Sequence, residues 1–375
     1  MTRRESAACP CKDECRSSMA GPFFVLMDES RRLPAGSLYI AEAGIPSGAG
    51  PSTLVRGVPN IFTQSGSITR YFNRAQTRVL TGLPSIYASD TLETIGPSDV
   101  TFGANGTLFA TIGAGVNPTV RSTDLAPNGI GLGRVASLGV SHDVSGHEAL
   151  HNPAGGPLDS NPWNTVAHNG ALVVTDAGGN SLLSIAPNGA ISTIATFPGR
   201  DIGGGFPWDA VPTGLAVGPD GNYYVGQLTG FPFTPGAAQI YQVQPDGDVS
   251  TFASGFTQIT SLEFGSDGSL CVLEFDANGL QVPGDAGALT RIAPDGSRTT
   301  IYSDGLEHAT GLAIGPDGAF YVSNFGSQAG TGEVLRIAAI PEPETYALML
   351  AGLLAVAGMA RRRSAQPSSC RGGCA

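Results

Sequence analysis

The sequence predicts an all-β protein, a six-bladed β-propeller of four-stranded blades, followed by a short hydrophobic helix near the C-terminus. Three observations carry this. Fifty-three glycines and 27 prolines in 375 residues, with only 14% charged residues, suit short strands joined by tight turns and argue against long helices. One apolar phrase recurs six times: SLYIAEAG from Ser37, TLFATIGAG from Thr107, ALVVTDAGG from Ala171, NYYVGQLTG from Asn222, SLCVLEFD from Ser269 and AFYVSNFG from Ala319. Five copies follow an Asn-Gly or Asp-Gly turn ending at Gly106, Gly170, Gly221, Gly268 or Gly318, where glycine takes positive φ at no steric cost.

Taken in order, residues 1–20 read as an atypical leader, either disordered or a mis-assigned start, with at most weak strand pairing. Cys9, Cys11 and Cys15 crowd it, but three sulfurs without a fourth ligand at finger spacing make a poor zinc site. Residues 1–20 lack the apolar core of a signal segment, and Phe23–Met27 is too short for one. Unlike the five copies that follow an Asn-Gly or Asp-Gly turn, SLYIAEAG is preceded by MDESRRLPAG. The sixth blade runs out of sequence near Ile337, so the N-terminal segment must supply its last strand, and residues 9–20 suit that role poorly.

Residues 21–340 form the propeller. In its best-preserved unit the four strands are TGLAVGPDG, NYYVGQLTG, AQIYQVQPDG and DVSTFASGF. Second turns recur at APNG, QPDG and APDG, ending at Gly189, Gly247 and Gly296. Longer intervals between the early copies place two insertions there. One of these contains GHEALHNPAGG, Gly146 to Gly156, whose His147, Glu148 and His151 spell the zinc-peptidase pattern H-E-x-x-H. That chemistry needs both histidines on one helical face. Gly146 before the motif and Pro153 after it leave little room for a helix, and no third ligand follows, so the stretch reads as a polar loop. Cys271, the one cysteine inside the propeller, replaces an aromatic of the repeat and reads as a small buried apolar residue.

The chain ends in PEPETYALMLAGLLAVAGMARRR, residues 341–363, followed by a tail over 364–375 that reads as disordered. Fifteen apolar residues would reach roughly 22 Å as a helix, short of the roughly 30 Å hydrocarbon core. Three arginines would hold the cytoplasmic side, as expected of a transient inner-membrane anchor. Pro341, Glu342, Pro343, Arg361, Arg362 and Arg363 carry the resemblance: the segment is similar to the PEP-CTERM sorting signal of Gram-negative bacteria that make extracellular polysaccharide. The resemblance implies an exosortase-type processing enzyme as partner, and a destination in the cell envelope or outside the cell.

Aligning the six phrases places Glu42, Ile112, Asp176, Gln227, Glu274 and Asn324 in one column at the ends of the second strands. Repetition sets such residues in a ring on one face, so Glu42, Asp176, Glu274 and Asn324 are candidate oxygen ligands for Ca2+ or Mg2+. The competing role is structural, since such residues beside glycine turns commonly hydrogen-bond local backbone. Candidates to bind a small molecule or saccharide are Trp163, Trp208, Asp209 and His308, the tryptophans by stacking. Wedge packing between blades is the competing role for both tryptophans. A net charge of −11 excludes nucleic acid as a partner. No phosphate loop, no G-x-S-x-G and no C-x-x-C occurs.

The stretch from Val211 to Gly247, with LDSNPWNTVAHNGALVVTDAGGNSLLSIAPNGAIST and GLAIGPDGAFYVSNFGSQAGTGEVLRI, resembles the ScyD/ScyE family over about residues 37–337. The resemblance implies an extracytoplasmic six-bladed propeller of the NHL and lactonase-like kind with no assigned reaction. The expected function is therefore a sorted, ligand- or partner-binding module. The alternative is a metal-dependent, lactonase-like hydrolase using the acidic column.

Overall fold

The computed structural model describes residues 15–19, 23–27, 36–200, 209–280, 284, 286–327 and 329–339. The chain divides into two compact units, Met1–Ile337 and Ala338–Ala375, and of the second only 338 and 339 are described. The hydrophobic helix and the sorting residues Pro341, Glu342, Pro343, Arg361, Arg362 and Arg363 thus lie outside the described residues.

The first unit is a six-bladed β-propeller. Blade three shows the plain pattern, Pro162–His168, Ala171–Asp176, Ser181–Ile185 and Ile191–Thr196 in consecutive antiparallel order. Blade four begins at Pro212–Val217, blade five at Ile259–Phe264, and blade two at Pro97–Phe102. Blade six begins at Gly311–Ile314. The repeated turns work by one mechanism. The side chains of Asn105, Asn188, Asp220, Asp267, Asp295 and Asp317 each accept a hydrogen bond from the backbone N–H two residues on, across a glycine at positive φ.

Apolar residues alternate along these strands and meet between neighbouring blades, so the core is a ring of wedges. Ile240, Ile259 and Val272 join blades four and five; Leu273, Leu289 and Val322 join five and six; Ile40, Ala313 and Val334 join six and one. Cys271 belongs to the wedge between five and six, where burial pushes its thiol up to about 12 and leaves it unionised. A ring of hydroxyls stitches the inner strands together. Ser98 donates to the carbonyls of Pro162 and Trp163, Thr175 to that of Thr213, Thr213 to that of Ile259, and Thr260 to that of Ala309.

Closure differs from expectation in one respect and follows it in another. Phe23–Met27 pairs with Leu38–Glu42 in continuous register and serves as the inner strand of blade one. The missing strand is therefore present without its Asp-Gly turn. Five apolar residues too short for a signal segment are long enough for an inner strand. Cys15–Met19 lies along Gly332–Ile337 as the fourth strand of blade six, matched at Cys15↔Val334 and Met19↔Gly332 with an irregularity between. The stretch 1–20 thus contributes a strand to the ring, and its pairing is interrupted.

Both insertions are built as ordered structure. Blade one carries a long hairpin, Val58–Phe72 with Ala75–Ala88, flanked by the short strands Ser52–Val55 and Thr94–Ile95. The insertion of blade two includes α1, Val144–His151, so the loop reading of HEALH is corrected. Asp143 caps the helix by accepting from Gly146 N at 2.9 Å, and Asn152 ends it in the left-handed conformation. Gly146 lies in the first turn, where that cap compensates for it. Pro153 restricts only Asn152, which is already outside the helix.

Candidate functional site

Antiparallel strands bring the loop after each second strand and the loop entering each inner strand to one face. Both insertions project there, so this face carries nearly all the irregular chain. The column at the second-strand ends has a shared local role. The Asp176 carboxylate accepts from Asn161 N at 2.6 Å, Glu274 from Thr257 N at 2.8 Å, and Asn324 from Glu307 N at 2.7 Å. Each side chain ties its strand to the loop entering the same blade. Glu42 instead faces its own blade, accepting from Ser67, Thr69 and Arg78 at 2.9, 2.5 and 3.1 Å. The structure does not bring Glu42, Asp176, Glu274 and Asn324 together, and among the described residues no three His, Cys, Asp or Glu side chains gather as a metal set.

A second ring lies on the loops entering the inner strands. Aligned on Ser98, Trp163, Thr213, Thr260 and Thr310, the residues four positions upstream include Asp159 and Asp209, and those two upstream include Gln258 and His308. Glu93 sits five positions upstream in blade one's last connection. His308 and Val211 are equivalent and share a positive φ of 49°. Such a conformation is costly for a side-chain-bearing residue, and most of all for β-branched valine.

His308 is the best-defined member. Its Nδ1 is 2.6 Å from Ser327 Oγ, and its ring stacks on Phe275 at 4.5 Å between centroids and 13° between planes. Gly326 N donates to the His308 carbonyl at 2.9 Å, which holds the strained backbone. Glu93 is exposed on its outer side, yet the loops around it dehydrate its carboxyl and raise its pKa, while the charge of His308 draws it down. Glu93 lies on the loop entering blade two and His308 on the loop entering blade six, one on either side of blade one. Asp159 is raised by burial, lowered by Arg56 and raised again by Asp209, and its Oδ1 is buried without a hydrogen-bond partner. Gln258 is 1% exposed and its Oε1 is likewise unpartnered.

The other candidates divide. Asp209 is exposed on this rim, with its carbonyl accepting from Gly230 N. Trp208 lies outside the described residues. Trp163 sits on the inner strand of blade three, where its indole N–H reaches across to the Thr260 carbonyl of blade five at 3.1 Å and its side chain packs against the apolar cluster shared by blades one and two. That position makes it part of the central packing, which differs from the wedge between neighbouring blades weighed above. On the same face, in the loop after blade four's second strand, Phe231 is 71% exposed and meets Phe233 edge to face at 6.3 Å. Phe275 and Glu93 were not legible beside His308 because they come from other blades, and Ser327 because it meets His308 only when the loops before and after blade six's first two strands fold together; Gln258 had a signal, its place in the repeat equivalent to that of His308. The signal for Asp159 was its place upstream of the inner strand, matching that of Asp209.

The H-E-x-x-H residues do not assemble a peptidase centre. His147 and His151 stack on each other at 4.3 Å on the exposed side of α1, with His147 Nε2 3.3 Å from Thr193 Oγ1. Glu148 points the other way and is 2% exposed. Its carboxyl is pushed up to about 7 by burial and by the neighbouring charges of Asp176 and Asp159.

Residues 339–364 match the model of the PEP-CTERM protein-sorting motif. The class defined by fold and signal together is therefore an exported β-propeller sorted to the cell envelope, and the motif implies recognition by an exosortase. No helix among the described residues is long and apolar enough to cross a membrane. No curated protein sequence matches the chain. Similar solved structures include a streptogramin B lyase, at 16% identity over 87% of this chain and 96% of that one, with a TM-score of 0.47. A catalytically inactive virginiamycin B lyase from Staphylococcus aureus with quinupristin is 14% identical over 87% and 98%, with a TM-score of 0.48. A gluconolactonase candidate is 13% identical over 88% and 92%, also at 0.48. Likeness at this level says nothing of activity, which is read from the chain's own residues.

Proposed function

We propose that this propeller is a binding module of the ScyD/ScyE-like kind, holding a saccharide or a similar small polar ligand on its loop-rich face at the His308 rim. The observation that carries the reading is His308 itself, held at positive φ, stacked on Phe275 and paired with Ser327. A strained, oriented imidazole beside an aromatic ring supplies what a sugar needs, polar groups for hydroxyls and an apolar platform for a ring face. The acidic groups Asp159 and Asp209 favour neutral or cationic ligands over anionic ones. A destination among envelope polysaccharides gives such a site its substrate class.

The test is binding of the full chain to an array of neutral, amino and acidic oligosaccharides, beside His308→Ala and Phe275→Ala. The expected result is saturable binding to neutral or amino sugars, weakened at least tenfold in both variants. Binding that neither variant changes would place the ligand elsewhere and overturn the reading.

One contact favours a second reading, hydrolysis. A serine oxygen 2.6 Å from an imidazole nitrogen is the arrangement of a nucleophile with its base. Turnover of lactones or activated esters that is lost in Ser327→Ala but kept after chelation would select it over both simple binding and a metal-dependent hydrolase.

A further inference from the structure

The two histidines of HEALH are left without a role once the peptidase centre is set aside. His147 and His151 stand four residues apart on α1 and so on one face of it, the spacing at which two imidazoles reach one metal ion. His151 is exposed and His147 half-buried, which leaves the pair open to solvent. Their rings stack at 4.3 Å between centroids and 29° between planes. Two nitrogens bound to one tetrahedral ion at roughly 2.0–2.1 Å each stand roughly 3.3 Å apart. Rings stacked this closely need only small side-chain rotations to reach that spacing.

Two further contacts orient the pair. His151 Nδ1 is 3.1 Å from the His147 carbonyl, which can only accept, so Nδ1 carries a proton and the neutral ring keeps its lone pair on Nε2. A ring N–H given to a backbone carbonyl is a common outer support of metal-bound histidine, because it fixes both tautomer and ring orientation. His147 Nε2 lies 3.3 Å from Thr193 Oγ1 on Ile191–Thr196, so blade three sets a hydroxyl beside the second ligand nitrogen, able to hydrogen-bond a water on the ion. The helix beneath is fixed as well. Asp143 caps its start, Asn152 N donates to the Glu148 carbonyl at 2.8 Å, and Ser145 Oγ donates to Ser160 Oγ at 2.7 Å. Ligands carried on a rigid element lose little freedom on binding.

We propose that His147 and His151 chelate one imidazole-seeking transition-metal ion, Cu2+ more tightly than Zn2+, on the solvent-facing side of α1. Imidazole suits both ions and their order follows the general affinity series of divalent metals, whereas Ca2+ and Mg2+ require oxygen ligands. Glu148 supplies none, because it is 2% exposed on the opposite side of the helix. For the same reason the ion has no general base beside its water, and the site binds metal without being a peptidase centre. Among the described residues no third His, Cys, Asp or Glu joins the pair, so the remaining positions on the ion go to water or to an outside ligand.

The experiment uses the full chain, stripped with EDTA, desalted and alkylated with iodoacetamide, since Cys9, Cys11, Cys15, Cys370 and Cys374 would compete for the same ions. After native circular dichroism is confirmed, the chain is titrated by calorimetry with CuCl2, ZnCl2 and CaCl2. The expected result is one Cu2+ or one Zn2+ per chain, with Cu2+ the tighter, and no binding of Ca2+ at the same concentrations. His147→Ala and His151→Ala should each fold as the unaltered chain does and bind at least tenfold more weakly, while Glu148→Gln should bind unchanged. With labelled histidine, Zn2+ should shift the His147 and His151 resonances and leave those of His142, His168 and His308 in place. The proposal is overturned by the absence of saturable Cu2+ or Zn2+ binding, or by binding that both histidine variants leave intact. Neither result bears on the His308 rim, whose saccharide test is independent.

Discussion

At the scale of residues, the propeller is held by polar side chains at repeating positions. Thr260 donates to the Ala309 carbonyl of the next blade, 2.9 Å away and fully buried. Thr260→Val keeps the shape and leaves that carbonyl unpaired, so denaturant unfolding should show a loss of about 1–2 kcal/mol. Asp99 is a different case. It is buried on the inner strand of blade two, accepts from Thr165 N and Asn164 Nδ2 at 2.7 Å each, and is raised by burial to about 7. Its pKa in the unfolded chain is about 3.9, so the folded state binds the proton more tightly. The stability it contributes is complete below pH ~4 and is lost as pH rises through ~7, by at most about 1.4 kcal/mol per unit. Asp99→Asn resembles the protonated acid and should flatten the fall in Tm across that window. The sequence showed Asp99 only as one residue of PSDV, because its burial and its donors come from the neighbouring blade. His308 and Asp209, by contrast, were legible as polar residues on loops beside a repeated strand.

At the scale of elements, regular strands were readable and their departures were not. The six phrases and their Asn-Gly or Asp-Gly turns located second strands directly, since both period and turn chemistry are local. Phe23–Met27 and Cys15–Met19 were obscured because pairing in a closed ring is supplied by distant partners, Leu38–Glu42 and Gly332–Ile337. α1 was obscured for another reason. Its first turn depends on Asp143, which also receives Arg121 at 2.7 Å and Arg134 at 3.0 Å. Arg121 is 3% exposed, so Asp143→Ala removes a helix cap and leaves a buried cation unpaired. The expected cost is about 2–4 kcal/mol, reduced from the fully buried case because Asp143 is partly exposed. Asp143→Asn retains the cap acceptor and should lose about half as much, measured by the same unfolding curves. Removing residues 1–20 takes away the last strand of blade six; a lower Tm would reflect the opened ring, and an unchanged one would show that this strand adds nothing.

At the scale of the whole molecule, the compact unit Met1–Ile337 and the sorting segment have separable roles. Deleting residues 339–364 should leave the circular dichroism and Tm of the propeller unchanged. In a cell with an exosortase, the same deletion should stop the protein reaching the envelope, as read by fractionation. Loss of folding on deletion would contradict that division. The central claim, a ligand site at the His308 rim, has a direct spectroscopic handle because the chain contains only five histidines. With selectively labelled histidine, the His308 imidazole resonances can be assigned by their loss in His308→Ala and followed while the oligosaccharide that binds best on the array is added. The account predicts a saturable shift at His308, with His142, His147, His151 and His168 unmoved. Saturable binding that leaves the His308 signals in place would contradict it.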